Sequence, residues 1–200
     1  MDIIAFTGAG ISADSGIPTF EELGEDFRRS LSRSVFRADP DAFYRNMLKL
    51  KRACDAAAPN AAHKALAEHG VPIITMNIDG LHRRAGTQDF IEIHGGIERV
   101  HCQACGADYP FLQVEHGCRC PACNGLLLHD IVLYEDNIPR LHEALARVEG
   151  EGVLLVVGTS FYTSTASYMV DHARAHGRRI VLINEEAKTA VPAYLNSLAD

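Results

Sequence analysis

The sequence lacks any surplus of positive charge: 19 lysines and arginines face 26 aspartates and glutamates, giving a formal net charge of −7 over 200 residues. Broad nucleic-acid binding needs a basic face, so no direct nucleic-acid partner is expected. The acidity suits plain solubility, or a basic partner such as a lysine-rich peptide. Long apolar runs are missing too. None approaches the ~20 residues that cross a bilayer, so no membrane association is expected. No secretory leader is visible, because Ile3-Ile4-Ala5-Phe6 is too short for its apolar core and no basic flank precedes it. A cytoplasmic monomer is the resulting expectation. Internal repeats and low-complexity tracts are absent. Cysteine is sparse except in one place: five of the six fall within residues 99–127. In a reducing compartment, such crowding points to a metal before disulfides. A chain of this length buries roughly 70% of its unfolded surface and needs no disulfide to hold together.

What is present is an alternation of short apolar runs with helical patterns. Strands are expected over residues 2–7, 71–76, 90–93, 153–157 and 179–183. Helices are expected over 60–69, capped by Asn60 and stopped by Gly70, over 137–149 and over 165–176. Between Glu22 and Leu50 the apolar residues are dispersed. This predicts short helices, one starting at Asp39-Pro40-Asp41, while 11–19 reads as a loop. The strands show little period-two alternation, so both faces are covered. The fold class is therefore α/β, a parallel sheet sandwiched by helices. Glycine and polar residues follow the strands: Gly8-Ala9-Gly10, Asn77-Ile78-Asp79, His94-Gly95, Gly158-Thr159-Ser160 and Asn184-Glu185. Open parallel sheets bind ligands on that edge, so these segments should converge on one cleft.

Each segment suggests chemistry. Gly8-Ala9-Gly10 after a strand lets backbone N–H groups approach a pyrophosphate, although the spacing is not G-x-G-x-x-G and a plain turn would look the same. Asn77 and Asp79 sit past a buried strand, where a carboxylate can accept N–H bonds from an amide-bearing ligand; an ordinary Asn/Asp turn is the alternative. His94 at a cleft mouth could serve as a general base near neutral pH, or be merely structural. The most specific local signal is Cys102-x-x-Cys105 and Cys120-x-x-Cys123, with 14 residues between the pairs. Four thiolates fit a tetrahedral zinc site with no open coordination position, hence a structural metal in a zinc-ribbon module. A redox dithiol is the rival reading, and Cys118 is a possible competing ligand.

Taken in order, these segments resemble the sirtuin family. Gly8-Ala9-Gly10-Ile11-Ser12, Ser15-Gly16-Ile17-Pro18 and Phe20 look like its first motif. Pro59-Asn60 with His63 and Leu66 looks like the second, and Asn77-Ile78-Asp79-Gly80-Leu81-His82 like the third. His94-Gly95, the cysteine pairs, Gly158-Thr159-Ser160 and Ile183-Asn184 follow in family order. The resemblance implies a doubly wound, Rossmann-like NAD-binding domain made of residues 1–22, 54–98 and 128–200. It also implies a short helical insertion at 23–53 and a zinc-binding module at 99–127. It further implies NAD-dependent removal of acetyl or other acyl groups from a protein or peptide lysine, with release of nicotinamide and O-acyl-ADP-ribose. In that reading His94 is the base. Asp79 and the Ile78 backbone hold the nicotinamide amide, and Asn77 contacts the ribose or a water. Phe20 shields the reactive ribose carbon. Gly8, Ala9, Gly10 and Ser12 line the phosphate and ribose site, Gly158, Thr159 and Ser160 meet phosphate, and Asn184 meets the adenosine ribose.

The chain also departs from the family. Glu21 stands where an arginine is usual. A carboxylate ~4 Å from a cofactor phosphate costs about 4 kcal/mol at an effective dielectric near 20, so Glu21 is expected to turn away, with Arg28 or Arg29 supplying the missing charge. Met76 replaces a glutamine before Asn77. Tyr134-Glu135-Asp136 replaces Phe-Gly-Glu, and residues 161–165 lack the usual valine and proline. Three residues after Tyr44 comes Met47, not an arginine, which argues against acidic acyl groups. The departures leave two alternatives on the same scaffold, a mono-ADP-ribosyltransferase and a non-catalytic NAD or ADP-ribose sensor.

Overall fold

A computed structural model of the chain describes residues 2–161 and 164–198. Five strands form one all-parallel sheet: β1 (Ile3–Thr7), β2 (Ile73–Thr75), β3 (Phe90–Glu92), β7 (Gly152–Val157) and β8 (Arg178–Ile183). Their spatial order is β3-β2-β1-β7-β8. The central strand β1 pairs Phe6 with Ile74 on one side and with Val156 on the other. The chain thus leaves β1 in one direction for β2 and β3, and returns to its other side for β7 and β8. That reversal makes a crevice at the carboxyl ends of the strands.

Side chains of a strand alternate between faces, and both faces are buried. Ile4, Phe6, Ile74, Leu154 and Val156 pack against α6 (Leu141–Arg147) and α7 (Ser164–Ala175) through Leu145, Met169 and Val170. Ala5, Ile73, Leu155 and Val157 face the other way, onto α4 (Ala61–Glu68) and α8 (Ala187–Asn196) through Leu66, Val191 and Leu195. Each fully buried side chain of this kind contributes about 1.5–3 kcal/mol. α4 starts where expected: the Asn60 side chain accepts the Ala62 N–H at 3.0 Å, and Gly70 turns the chain at φ +62°.

A second sheet, β5-β4-β6, is antiparallel and small: β4 (Arg99–Cys102), β5 (Asp108–Pro110) and β6 (Leu127–His129). It shares one core with three helices, α1 (Glu25–Ser30), α2 (Arg33–Ala38) and α3 (Pro40–Ala56). Phe36, Phe43, Tyr44 and Met47 pack with Val100, Phe111, Leu127 and Leu133. The helical insertion and the cysteine-bearing insertion are therefore one lobe, although 45 residues (54–98) separate them in the sequence. α3 begins as expected, with the Asp39 carboxylate accepting the Ala42 N–H at 2.9 Å and Pro40 in the first turn.

Four local expectations need correction. Residues 11–19 are not all loop, since Ala9–Ser15 forms a 3-10 segment. The helix expected from 137 begins only at Leu141, because Pro139 disfavours helical backbone at Ile138. α5 (Leu81–Arg84) is a single turn with no periodicity to reveal it. α8 went unrecognised because Pro192 reads as a breaker; its Ala187, Val191 and Leu195 repeat is the signal that could have found it.

Candidate active site

The crevice is a cleft of about 910 Å³ between the carboxyl edge of the parallel sheet and the small lobe. Gly8, Ala9, Gly10, Phe20, Asn77, Ile78, Asp79, His94, Gly158, Thr159, Ser160 and Asn184 all line it. Ser12 does not: it is fully buried behind Asp79 and acts on it from below.

The loops after β1 and β7 interlock through backbone. A Cβ at Gly8 would lie 2.8 Å from the Gly158 carbonyl oxygen, and one at Gly10 2.8 Å from the Gly158 Cα. Gly158 has φ +64°, and a Cβ there would meet the Ile11 nitrogen at 2.2 Å. The Gly10 N–H donates to the Gly158 carbonyl at 2.8 Å. Side chains at these three positions would push the two loops apart, so this floor admits a ligand's backbone-binding groups closely. Asn184 fixes the neighbouring loop. Its Oδ1 accepts the Thr159 N–H at 3.1 Å and its Nδ2 donates to the Thr159 carbonyl at 2.7 Å.

Beneath the floor runs a buried polar network. Ser12 Oγ donates to Asp79 Oδ2 at 2.7 Å, and the Leu81 N–H donates to Asp79 Oδ1 at 2.8 Å. Burial raises the Asp79 pKa, and these two donors oppose that rise. Asn77 Nδ2 donates to the Gly8 carbonyl at 3.1 Å and to Ser12 Oγ at 3.3 Å, tying the first and third segments together. Since the Ser12 proton goes to Asp79, the His63 contact at 3.3 Å is accepted by Ser12 Oγ, which assigns the His63 proton to Nε2. His82 Nε2 lies 2.9 Å from Thr7 Oγ1 at the end of β1. Burial drives the His63 pKa down to about 4 and that of His82 to about 3, so both are neutral supports. Residue-by-residue reading gave these histidines no role of their own; only their places in the second and third motifs marked them.

His94 follows β3. Its Nδ1 lies 3.1 Å from the Met76 carbonyl. A carbonyl can only accept, so Nδ1 carries the proton and Nε2 is left with the lone pair. Burial lowers the His94 pKa, only partly offset by that hydrogen bond, which keeps the ring neutral at pH 7. The loop is fixed by Gly95, at φ +71°, where a Cβ would lie 1.9 Å from the Asp130 carbonyl oxygen. The change to Met76 therefore spares the group that orients His94, because that group is backbone.

No lysine or arginine lines the cleft among the described residues, whereas Glu21, Asp79, Glu135, Asp136 and Glu185 do. One expectation fails here. Glu21 is an exposed residue of the cleft rim. Neither Arg28 nor Arg29 reaches the cleft lining. Arg28 donates to the carbonyls of Glu21 and Leu23 at 2.8 and 2.7 Å, closing the loop onto α1, and Arg29 pairs with Glu25 at 2.5 Å.

The Tyr134–Asp136 segment is fastened to the helical insertion. The Tyr134 N–H donates to the Leu31 carbonyl at 2.9 Å, and the Arg33 N–H donates to the Tyr134 carbonyl at 3.1 Å. Arg33 grips Asp136 with two bonds of 2.8 and 2.6 Å, and Glu135 accepts from Ser34. Glu135 holds φ +76° at the place of the family's glycine. Tyr162 and Thr163, part of the other departure, lie outside the described residues.

Cys102, Cys105, Cys120 and Cys123 bring their sulfurs within 4.8 Å of one another. Cys102 and Cys123 are 3.4 Å apart, and Cys105 and Cys120 3.8 Å. These are far beyond a disulfide bond and close to the about 3.8 Å edge of a tetrahedron with 2.3 Å metal–sulfur bonds. N–H groups of Cys105 and Ala104 aim at the Cys102 sulfur, and the Tyr109 hydroxyl, at 3.3 Å, with the N–H groups of Ala122 and Cys123 at that of Cys120, favouring the thiolates. Gly125 is required, since a Cβ there would lie 2.8 Å from the Cys102 sulfur. The Cys118 sulfur is not in that group of four, and the Cys118 N–H donates to Asp41 at 3.0 Å.

Comparison with known proteins agrees with this geometry. The model of the Sir2 family matches residues 8–164. An NAD-dependent protein deacylase of Thermococcus sibiricus is 38% identical, over 95% of this chain and 83% of its own. An NAD-dependent protein deacetylase of Caldivirga maquilingensis is also 38% identical, over 92% and 77%. Among solved structures, a Sir2 protein with p53 peptide and NAD+ superposes with a TM-score of 0.88 at 26% identity, covering 99% of this chain and 93% of that one. A Sir2 complex with an inhibitor, 2'-O-acetyl-ADP-ribose and deacetylated p53 peptide gives 0.86 at 27%, over 99% and 94%.

Proposed function

The chain belongs to the Sir2 family, and from that premise we propose that it is an NAD-dependent protein-lysine deacylase. The reaction consumes acyl-lysine, NAD and water, and yields lysine, nicotinamide and O-acyl-ADP-ribose. One observation carries the reading: His94 presents an unprotonated Nε2, pinned by the Met76 carbonyl, in the same cleft as Asn77, Asp79 and the glycine floor. A mere nucleotide sensor needs no such base.

The chain's own groups divide the work. The interlocked glycines expose backbone for a diphosphate, which matters here because no lysine or arginine among the described residues lines the cleft. Asp79, buried and half-satisfied by Ser12 and Leu81, keeps lone pairs for an amide N–H. His94 Nε2 takes a proton from a ribose hydroxyl. Phe20 sits on the cleft wall, where a ring excludes water from the reacting carbon. The four cysteines suit zinc, held as a structural centre with no free position; it would stabilise the lobe that carries half the cleft.

The acyl group is neutral. Ile17, Leu31, Met47, Leu50 and Ile131 make the cleft's apolar wall, and among the described residues no lysine or arginine is there to pair an acidic acyl chain. The pairing of Tyr134 with residues 31–33 keeps mono-ADP-ribosyl transfer as a second reading, because part of the edge a peptide would use is engaged.

The test is incubation with NAD and a panel of acetyl-, butyryl- and succinyl-lysine peptides, with every product followed by mass spectrometry and His94→Ala as control. Free lysine from the neutral peptides, lost in the variant, supports the proposal. Nicotinamide release with unchanged peptides overturns it in favour of ADP-ribosyl transfer, and no turnover leaves only binding.

A further inference from the structure

Away from the cleft, α7 carries His172 in its last turn, and His176 follows one residue after its end. A spacing of four places both on the same side of the helix. Glu149, in the connection between α6 and β7, meets them there. One ligand atom from each of the three residues can be chosen so that all lie within 4.8 Å of one another. We propose that Glu149, His172 and His176 form a second metal site, for a divalent late transition ion of which zinc is the natural occupant.

Three observations favour a site over a chance pair of surface histidines. The first is the tautomer. His176 Nδ1 lies 2.8 Å from the His172 carbonyl, so it holds the proton and leaves the Nε2 lone pair for a ligand. Metal-binding histidines are oriented in just this manner, by a carbonyl on the other nitrogen. The second is spacing. His172 Nε2 donates to Glu149 Oε1 at 3.1 Å, and an incoming ion takes the place of that proton. Two ligands at 2.0–2.1 Å from a common ion are about 2.9 Å apart in an octahedron and about 3.3 Å in a tetrahedron, so this edge already fits. The third is backbone fixation. The Gly150 N–H donates to the His176 carbonyl at 3.1 Å, and Arg178 Nη2 donates to the Glu149 carbonyl at 3.4 Å. The Arg178 charge is met by Asp2 at 2.6 Å, so it opposes a cation less. The carboxyl end of α7 adds the favourable end of a helix dipole.

Two imidazoles and a carboxylate select zinc, nickel, cobalt or copper over calcium or magnesium. The site lies roughly 12 Å along α7 from Ser164, which lines the cleft. It is at the edge where β7 begins, opposite the cleft. An ion there would staple α7 to the α6–β7 connection and take no part in turnover.

The experiment uses the full chain with its cysteine site loaded, its metal counted by mass spectrometry, and then titrated with zinc chloride and with nickel chloride by calorimetry. One further equivalent is expected, with a rise in melting temperature. His176→Gln, at an exposed position, should weaken that uptake at least tenfold and abolish the melting shift, leaving the cysteine-held metal in place. Glu149→Gln should weaken it less. No second equivalent, or uptake unchanged in the His172→Gln, His176→Gln double variant, overturns the proposal.

Discussion

Replacing His129 with phenylalanine should remove about 2 kcal/mol of the protein's acid sensitivity. His129 ends β6 and is buried among aromatic rings: 4.8 Å from Phe43 and stacked on it, 4.8 Å from Phe36, and 6.2 Å from Tyr44. Neither ring nitrogen has a hydrogen-bond partner. Burial, helped by the nearby Arg33 charge, pushes its pKa from the ordinary 6.5 down to about 4. Above pH 6.5 the ring is neutral whether the chain is folded or unfolded, and the stability is fully present. Between pH 6.5 and 4 the unfolded chain takes up the proton and the folded chain does not, so stability falls as pH falls. At pH 5 the loss is about 2 kcal/mol, from RT times the logarithm of the ratio of the two protonation factors. Phenylalanine cannot titrate and suits the aromatic cage. Urea unfolding of both proteins at pH 8 and pH 5 checks the claim. Acid release of a thiolate-held metal and protonation of His63 and His82 affect both proteins equally, so the gap between them isolates His129. The variant should gain about 2 kcal/mol on wild type between pH 8 and pH 5. A gap constant to within ~0.5 kcal/mol would refute the reasoning.

Gly158→Ala should destabilise the protein by more than about 2 kcal/mol and abolish NAD binding by calorimetry, since the methyl group meets the Ile11 nitrogen at 2.2 Å on a backbone of φ +64°. The rate kcat/KM should fall on an acid limb centred below pH 6.5. Burial keeps the His94 pKa below 6.5, and only the neutral ring can accept a proton; a limb centred above pH 7 contradicts this. Ser12→Ala should cost about 1–3 kcal/mol in urea unfolding, because Asp79 Oδ2 loses its buried donor. Chelation should strip the metal from Cys102, Cys105, Cys120 and Cys123 and loosen α3 as well, since they share one core; far-ultraviolet dichroism that loses only the β4–β6 signal would show the two packing independently.

The parallel sheet was legible because each strand is a short apolar run and both of its faces are covered, so composition alone marks it. The cleft was legible for a related reason: the polar and glycine residues that follow such strands fall on one edge by topology. α8 was hidden, since Pro192 interrupts its pattern while Val191 and Leu195 still pack on the sheet. Hidden also were the union of the helical and cysteine-bearing insertions and the attachment of Tyr134 to residues 31–33, because both rest on contacts between distant segments. The charges at positions 28 and 29 were read by spacing, and the structure reassigns them. Arg28 closes a loop and Arg29 meets Glu25.

By itself, then, the sequence determined where the parallel strands form, where glycine follows them and which four thiols can share a metal, since these follow from local sterics, periodicity and ligand spacing. Tertiary structure alone decided the tautomer of His94, the placing of Ser12 beneath Asp79, the neutrality of three buried histidines and the meeting of Glu149 with His172 and His176. Each of those depends on desolvation and on a partner brought from elsewhere in the chain, and neither quantity exists until the chain has folded.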